Sequence, residues 1–199
     1  MVKLGKLLKY IRKTKDTGIV LKPGELGLQV RCYIDAAYGV HDDGKSVTGS
    51  VVVLGDAGPL HAKSSKQKIV TKSSTEAELV AASDSANQAL FVREFMIQQG
   101  HKMKPVVIFQ DNLSCMALIN KGRPSSERTR HMSIRNFWLK DKVSDGEVVI
   151  EYLGTKDMFA NLLTKPLQGA QFARERDMLT NWKFPGVTRE DQNPKDNVE

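Results

Sequence analysis

The sequence predicts an α/β layer fold, a mixed five-stranded sheet flanked by helices. Three observations carry that expectation. Three strand patterns with turn signals between them open the main body of the chain. A long helix pattern follows, and then a short, wholly apolar strand. The remainder alternates helix, strand and helix, an order that places helices against a sheet with both parallel and antiparallel pairs.

Residues 3–14 form a short basic amphipathic helix with Leu4, Leu7, Leu8 and Ile11 on one side. Thr17-Gly18 ends it, and Lys22-Pro23-Gly24 reads as a turn or linker. In the first strand, Val30 to Ala37, Val30, Cys32, Ile34 and Ala36 face one way and Arg31, Tyr33 and Asp35 the other. Asp42-Asp43-Gly44-Lys45 turns the chain into an antiparallel strand from Ser46 to Leu54. Gly55–Pro59 turns it again into a third, Leu60 to about Val70.

The long helix starts at Ser73 and runs to about Gly100. Ser73 and Glu76 have capping-box spacing, a hydroxyl for one orphan amide and a carboxylate reaching back to another. Leu79, Ala86, Leu90 and Ile97 form an apolar stripe that Phe91 and Phe95 widen. Val106–Phe109 suits a strand buried on both faces, ending at Gln110-Asp111-Asn112. A brief helix stops near Gly122-Arg123-Pro124, and residues 127–144 make another. Glu147 to Leu153 alternates as the fifth strand. Asp157 opens a last helix that breaks at Pro166, and from Phe184 the composition reads as a disordered tail.

With 199 residues, 40% hydrophobic and 27% charged, the chain is of globular type and large enough for one domain with appendages. No apolar run approaches the length of a membrane span, so no membrane partner is expected. Cys32 and Cys115 each sit in an apolar segment and read as reduced core thiols, which suits an intracellular compartment. His41, His61, His101 and His131 show no zinc-ligand spacing. The net charge of +7 favours an anionic partner. Residues 1–27 supply +5 of it, from seven Lys/Arg against Asp16 and Glu25. Lys63, Lys66, Lys68 and Lys72, just before the long helix, are either a solvated edge or a phosphate-contacting run.

Three carboxylates stand at similar places. Asp35 lies inside the first strand, Glu78 in the first turns of the long helix, and Asp111 at the end of the buried strand. Glu76 and Glu78 are about 200° apart around a helix, so a capping Glu76 leaves Glu78 pointing elsewhere. Acids at strand ends and a helix start can converge where α/β sheets bind ligands. Clustered carboxylates repel unless cations neutralise them, and an oxygen-only site suits Mg²⁺ or Mn²⁺. Two such ions about 4 Å apart support phosphodiester cleavage by activating water and stabilising the leaving oxygen.

The chain resembles the ribonuclease H domain of copia-type retrotransposon Pol polyproteins. The resemblance rests on Tyr33-Ile34-Asp35-Ala36, the Gly49-containing strand, Lys63–Gln67, Ser73–Glu78, Gln110-Asp111-Asn112, Glu127–His131 and Leu163–Leu167, in family order over roughly 28–170. It implies a ribonuclease H-like domain over 28–170. Residues 1–27 would come from the end of a polymerase or connection region, and 171–199 would be a helix remnant and tail. It implies hydrolysis of the RNA strand of RNA–DNA hybrids with two Mg²⁺ or Mn²⁺ ions held by Asp35, Glu78 and Asp111. The fourth ligand should be an Asp, where this chain has Asn161, which coordinates without adding charge. Asp157, one turn earlier, is either an N-cap or a partial substitute. Hybrid contacts would come from Lys63, Lys66, Lys68, Lys72, Ser73, Ser74, Asn112, Arg130 and His131, reading backbone shape rather than base sequence. The implied partner within the polyprotein is an upstream polymerase domain, in a cytoplasmic particle or the nucleus. The rival expectation is a decayed or domesticated copy that binds nucleic acid, or supports a polymerase, without cutting.

Overall fold

The computed structural model describes residues 2–21, 27–122 and 132–180. Arg130 and His131, the first part of the helix expected from 127, and the tail from 184 lie outside the described residues. In chain order the elements are α1 (Val2–Lys13), β1 (Val30–Ala37), β2 (Val47–Leu54), β3 (Pro59–Lys66), α2 (Ser74–Gln98), β4 (Val106–Gln110), α3 (Leu113–Lys121), α4 (Ser133–Ser144) and β5 (Val148–Tyr152). A 3-10 turn, Phe159–Leu163, and α5, Gly169–Leu179, follow.

The sheet order is β3-β2-β1-β4-β5. The β1–β2 and β2–β3 pairs are antiparallel, while β1–β4 and β4–β5 are parallel. The mixed five-stranded sheet expected from the sequence is therefore present. Period-two alternation in β1 sends Val30, Cys32 and Ile34 into a core shared with Leu79, Val80, Ala86 and Ala89 of α2 and with Ile108 of β4. Cys32 and Cys115 are free and buried, and burial alone pushes the Cys32 thiol up to about 12. On the other side of β1, Tyr33 stacks on Phe109 with ring centres 4.8 Å apart, joining β1 to β4 in their parallel register.

The start of α2 carries the expected cap with one shift: the Glu76 carboxylate takes the amide one residue before the N-cap. The Ser73 hydroxyl accepts from the Glu76 amide at 3.2 Å, and the Glu76 carboxylate reaches back to the Lys72 amide at 2.7 Å. The first half of this helix is buried almost all round, from Glu76 to Ser83. The expected stripe is wrong at Phe91 and Phe95, which are exposed: Phe91 lines the groove between β3 and α2, while Leu90 and Val92 pack against the core.

Two other boundaries are corrected. β3 ends at Lys66 rather than near Val70. Gln67 turns inward there, donating its side-chain amide to the Thr48 hydroxyl at 3.0 Å and the Ala77 carbonyl at 2.9 Å. The last helix shrinks to a five-residue 3-10 turn, because Pro166 disfavours helical geometry at Lys165. Met158 caps that turn, so Asp157 is not its N-cap; its carboxylate instead pairs with Arg174 at 3.0 Å.

Candidate active site

The C-terminal ends of the parallel strands β1 and β4 point the same way, and the start of α2 lies beside them. Asp35, Glu78 and Asp111 meet there, each offering an oxygen within 4.8 Å of the others. Among the described residues this is the one such group of acids, histidines or cysteines that could hold a metal ion. Glu76, by contrast, is committed to the helix cap.

Each acid is held by neighbours. Glu78 accepts from the Ala36 amide at 3.2 Å and from the Gln110 side chain at 3.3 Å. Gln110 is fully buried, and its own carbonyl oxygen accepts from the Asn112 amide at 2.9 Å, so it is fixed from both ends. Asp111 accepts from the Thr155 hydroxyl at 2.7 Å. Asp35, 2% exposed, accepts from the Thr164 hydroxyl and, at 3.1 Å, from the Lys165 ammonium.

The electrostatics follow from that crowding. Burial, then the negative charges of Asp35 and Asp111, push the Glu78 carboxyl up to about 8, against the lowering effect of Gln110 and the Ala36 amide. Three carboxylates gathered in a partly buried site are short of positive charge. Oxygen-only donors at this spacing suit a hard divalent cation, so the residues present fit Mg²⁺ or Mn²⁺.

Asn161 is buried and joins the cluster through Lys165. Its side-chain amide donates to the Thr155 carbonyl at 2.8 Å, and its oxygen accepts from the Lys165 ammonium. Asp157 lies outside the acidic group and is exposed.

No protein-family model matches the chain. It is 32% identical over 188 residues to the retrovirus-related Pol polyprotein from transposon RE1 of Arabidopsis thaliana, covering 94% of this chain and 12% of that polyprotein. It is 30% identical over 174 residues to that from transposon TNT 1-94 of Nicotiana tabacum, covering 87% of this chain and 13% of the relative. The truncated Ty1-A Gag-Pol polyprotein of Saccharomyces cerevisiae is 29% identical over 180 residues. This chain is homologous to Pol polyproteins of Ty1/copia-type retrotransposons. The Pol segment spans about an eighth of the length of the relatives it matches. Its fold is that of ribonuclease H: a ribonuclease H1 isolated from compost, LC11-RNase H1, superposes with a TM-score of 0.50 at 13% identity, over 75% of this chain and 91% of the other.

Elsewhere in the Pol segment, Lys63, Lys66 and Lys68 line a groove of about 400 Å³ between β3 and α2, together with Gln88 and the exposed Phe91. Lys66 also pairs with Asp43 at 2.9 Å. Lys72 and Ser74 are exposed, whereas the side-chain oxygens of Ser73 and Asn112 are occupied as the caps of α2 and α3. The supporting set of Gln110, Thr155, Thr164 and Lys165 has no individual signal in the sequence. Only the positions of Gln110, Thr164 and Lys165 inside matching motifs mark them.

Proposed function

We propose that this Pol segment is a metal-dependent endonuclease that hydrolyses the RNA strand of RNA–DNA hybrids during reverse transcription. One observation carries the reading: carboxylates from β1, α2 and the end of β4 converge on a single point of a ribonuclease H fold. Asp35, Glu78 and Asp111 would hold two Mg²⁺ or Mn²⁺ ions, with Asn161 as a neutral fourth ligand. Bound there, the ions supply a water nucleophile at neutral pH and stabilise the leaving oxygen.

The chain's own residues do the positioning. Gln110 and the Ala36 amide fix both oxygens of Glu78, and Thr155 fixes one oxygen of Asp111, so the donors are set before substrate arrives. Lys63, Lys66 and Lys68 offer positive charge for a nucleic-acid backbone. Cleavage of a labelled hybrid with Mg²⁺, against a Glu78→Gln control, tests the reading. Hydrolysis that the substitution abolishes supports it, and no hydrolysis at any metal concentration overturns it. That second result would favour a decayed or domesticated, non-cutting module, for which the neutral Asn161 speaks.

A further inference from the structure

The Thr164-Lys165 pair closes on Asp35 from the side opposite the core. The Thr164 hydroxyl donates to one oxygen of Asp35, and the Lys165 ammonium donates to the other at 3.1 Å. The same ammonium donates to the Asn161 side-chain oxygen. A positive charge therefore sits on the two oxygens, from Asp35 and Asn161, that a divalent ion on this side of the cluster would take. The Asp35 side chain is 3% exposed, whereas that of Lys165 is 39% exposed. The anion is fixed, and the cation hangs on a flexible four-carbon stem with one end in solvent.

We propose that Lys165 is a tethered cation that competes with the second divalent ion. In the metal-free protein its ammonium neutralises Asp35 and bridges it to Asn161. For a second ion to bind, the side chain must swing out to solvent, and the two cations exclude one another because they use the same oxygens. Asn161 sets the balance. As a neutral donor it binds a divalent ion more weakly than a carboxylate does, so a single ammonium competes effectively. The ion held mainly by Glu78 and Asp111 meets this rival only at Asp35, since the hydrogen bonds of Glu78 and Asp111 go to Ala36, Gln110 and Thr155 and not to Lys165. The two ions would then load in separate steps, the second held back by displacement of Lys165. The inference rests on the metal-binding reading of the acidic cluster and deepens it.

The test is a Mn²⁺ titration of the chain without nucleic acid, following free Mn²⁺ by electron paramagnetic resonance. Wild type should bind one ion tightly and a second at least about tenfold more weakly. Lys165→Met should tighten the second step about tenfold or more, and Lys165→Arg, which keeps the charge, should not. Unchanged or weaker second binding in Lys165→Met overturns the proposal. A second measurement needs no substitution: a Mg²⁺ titration of wild type with ¹³C-labelled lysine side chains. One lysine Cε signal should move to the solvent-exposed position in step with the second ion. If Mg²⁺ saturates and no lysine signal moves, the proposal fails. Asp111→Asn separates the two levels of the argument. If it abolishes Mn²⁺ binding while Lys165→Met changes nothing, the metal site stands and the competition does not. If wild type and Lys165→Met both bind no Mn²⁺, both fall.

Discussion

Asp35 and Gly49 face each other across the antiparallel β1–β2 pair, and Ser64 of β3 continues the row. Gly49 is the gap in that row. A Cβ there would lie 2.7 Å from Thr164 Cγ2 and 2.8 Å from the Ala160 carbonyl oxygen. Beside it, the Ser64 hydroxyl donates to the Leu163 carbonyl at 2.6 Å. The 3-10 turn is thus docked onto the sheet through a missing side chain on one strand and a hydroxyl on the next. That docking delivers Thr164 and Lys165 to Asp35.

Gly49→Ala should push the turn off the sheet, because the Ala160 carbonyl at 2.8 Å is backbone and the Thr164 and Leu163 carbons crowd it from the same turn. The expected cost is about 1–3 kcal/mol, as for other overpacked sites. Hybrid cleavage should fall more steeply than the lost stability explains, since the segment carrying Asn161 and Lys165 moves. Thermal unfolding and cleavage assays on Gly49→Ala check this. An alanine variant with wild-type stability would show that the segment is not held against β2.

Glu78 gives the metal-free fold a pH dependence of definite sign. Its carboxyl is raised from an ordinary 4.5 to about 8, chiefly by burial and then by Asp35 and Asp111. Between those values the folded chain keeps a proton that the unfolded chain has released. Stability should therefore fall as pH rises from about 4.5 to about 8, and change little from this group on either side. The Lys165 ammonium on Asp35 offsets part of the local negative charge, while the hydrogen bonds of Glu78 itself come from Ala36 and Gln110. Urea midpoints at pH 5 and pH 8.5, without metal, measure the effect. Glu78→Gln should flatten the slope, and saturating Mg²⁺ should flatten it in wild type. A wild-type midpoint that rises across this window would contradict the assigned environment.

Under the proposed function, the lysines before α2 would contact the hybrid backbone. Lys63 and Lys68 line the groove beside α2 without an acidic partner among the described residues, whereas Lys66 is engaged with Asp43. Hybrid affinity should fall steeply with salt and depend little on base sequence. Lys63→Ala and Lys68→Ala should each lower the slope of log affinity against log salt by about 1. A binding titration from low to physiological salt reads this directly. Unchanged slopes would move the phosphate contacts elsewhere.

How much of this was legible in the sequence depends on the range of the interaction. The α2 cap is local, three residues from hydroxyl to amide, so Ser73 and Glu76 disclosed it. The alternation of β1 and the apolar run of β4 disclosed which strands are buried, and with them the heights of Asp35 and Asp111. Long-range partners carry no such signal. Nothing local says that Thr164 and Lys165 reach Asp35, about 130 positions away in the chain, or that Thr155 reaches Asp111. Periodicity predicts a longer helix than the 3-10 turn because it does not reveal that Pro166 ends it and that the turn is packed on Gly49. Phe91 and Phe95 fit a helical stripe, but both are exposed, Phe91 across an open groove from β3 rather than packed on it.

Asn161→Asp tests the proposed role of Asn161 as a neutral ligand, and the bonds of Asn161 change what a volume-matched substitution should do. The Asn161 amide donates to the Thr155 carbonyl at 2.8 Å, a bond that a carboxylate cannot make. Without metal, the variant would set a carboxylate oxygen against a carbonyl in a buried position, at a cost of about 1–3 kcal/mol. The new charge on Lys165 recovers part of that. A divalent ion recovers more, because the site then holds four acids. The metal-free variant should melt several degrees below wild type, and saturating Mg²⁺ should raise its melting temperature by more than it raises that of wild type. Cleavage should appear at lower Mg²⁺ than in wild type, while Asp35→Asn and Glu78→Gln, each left with two charged ligands, should not cleave. A metal titration of the four proteins by thermal unfolding and by hybrid cleavage separates these outcomes. An Asn161→Asp variant whose melting temperature responds to Mg²⁺ no more than wild type would place residue 161 outside the metal site.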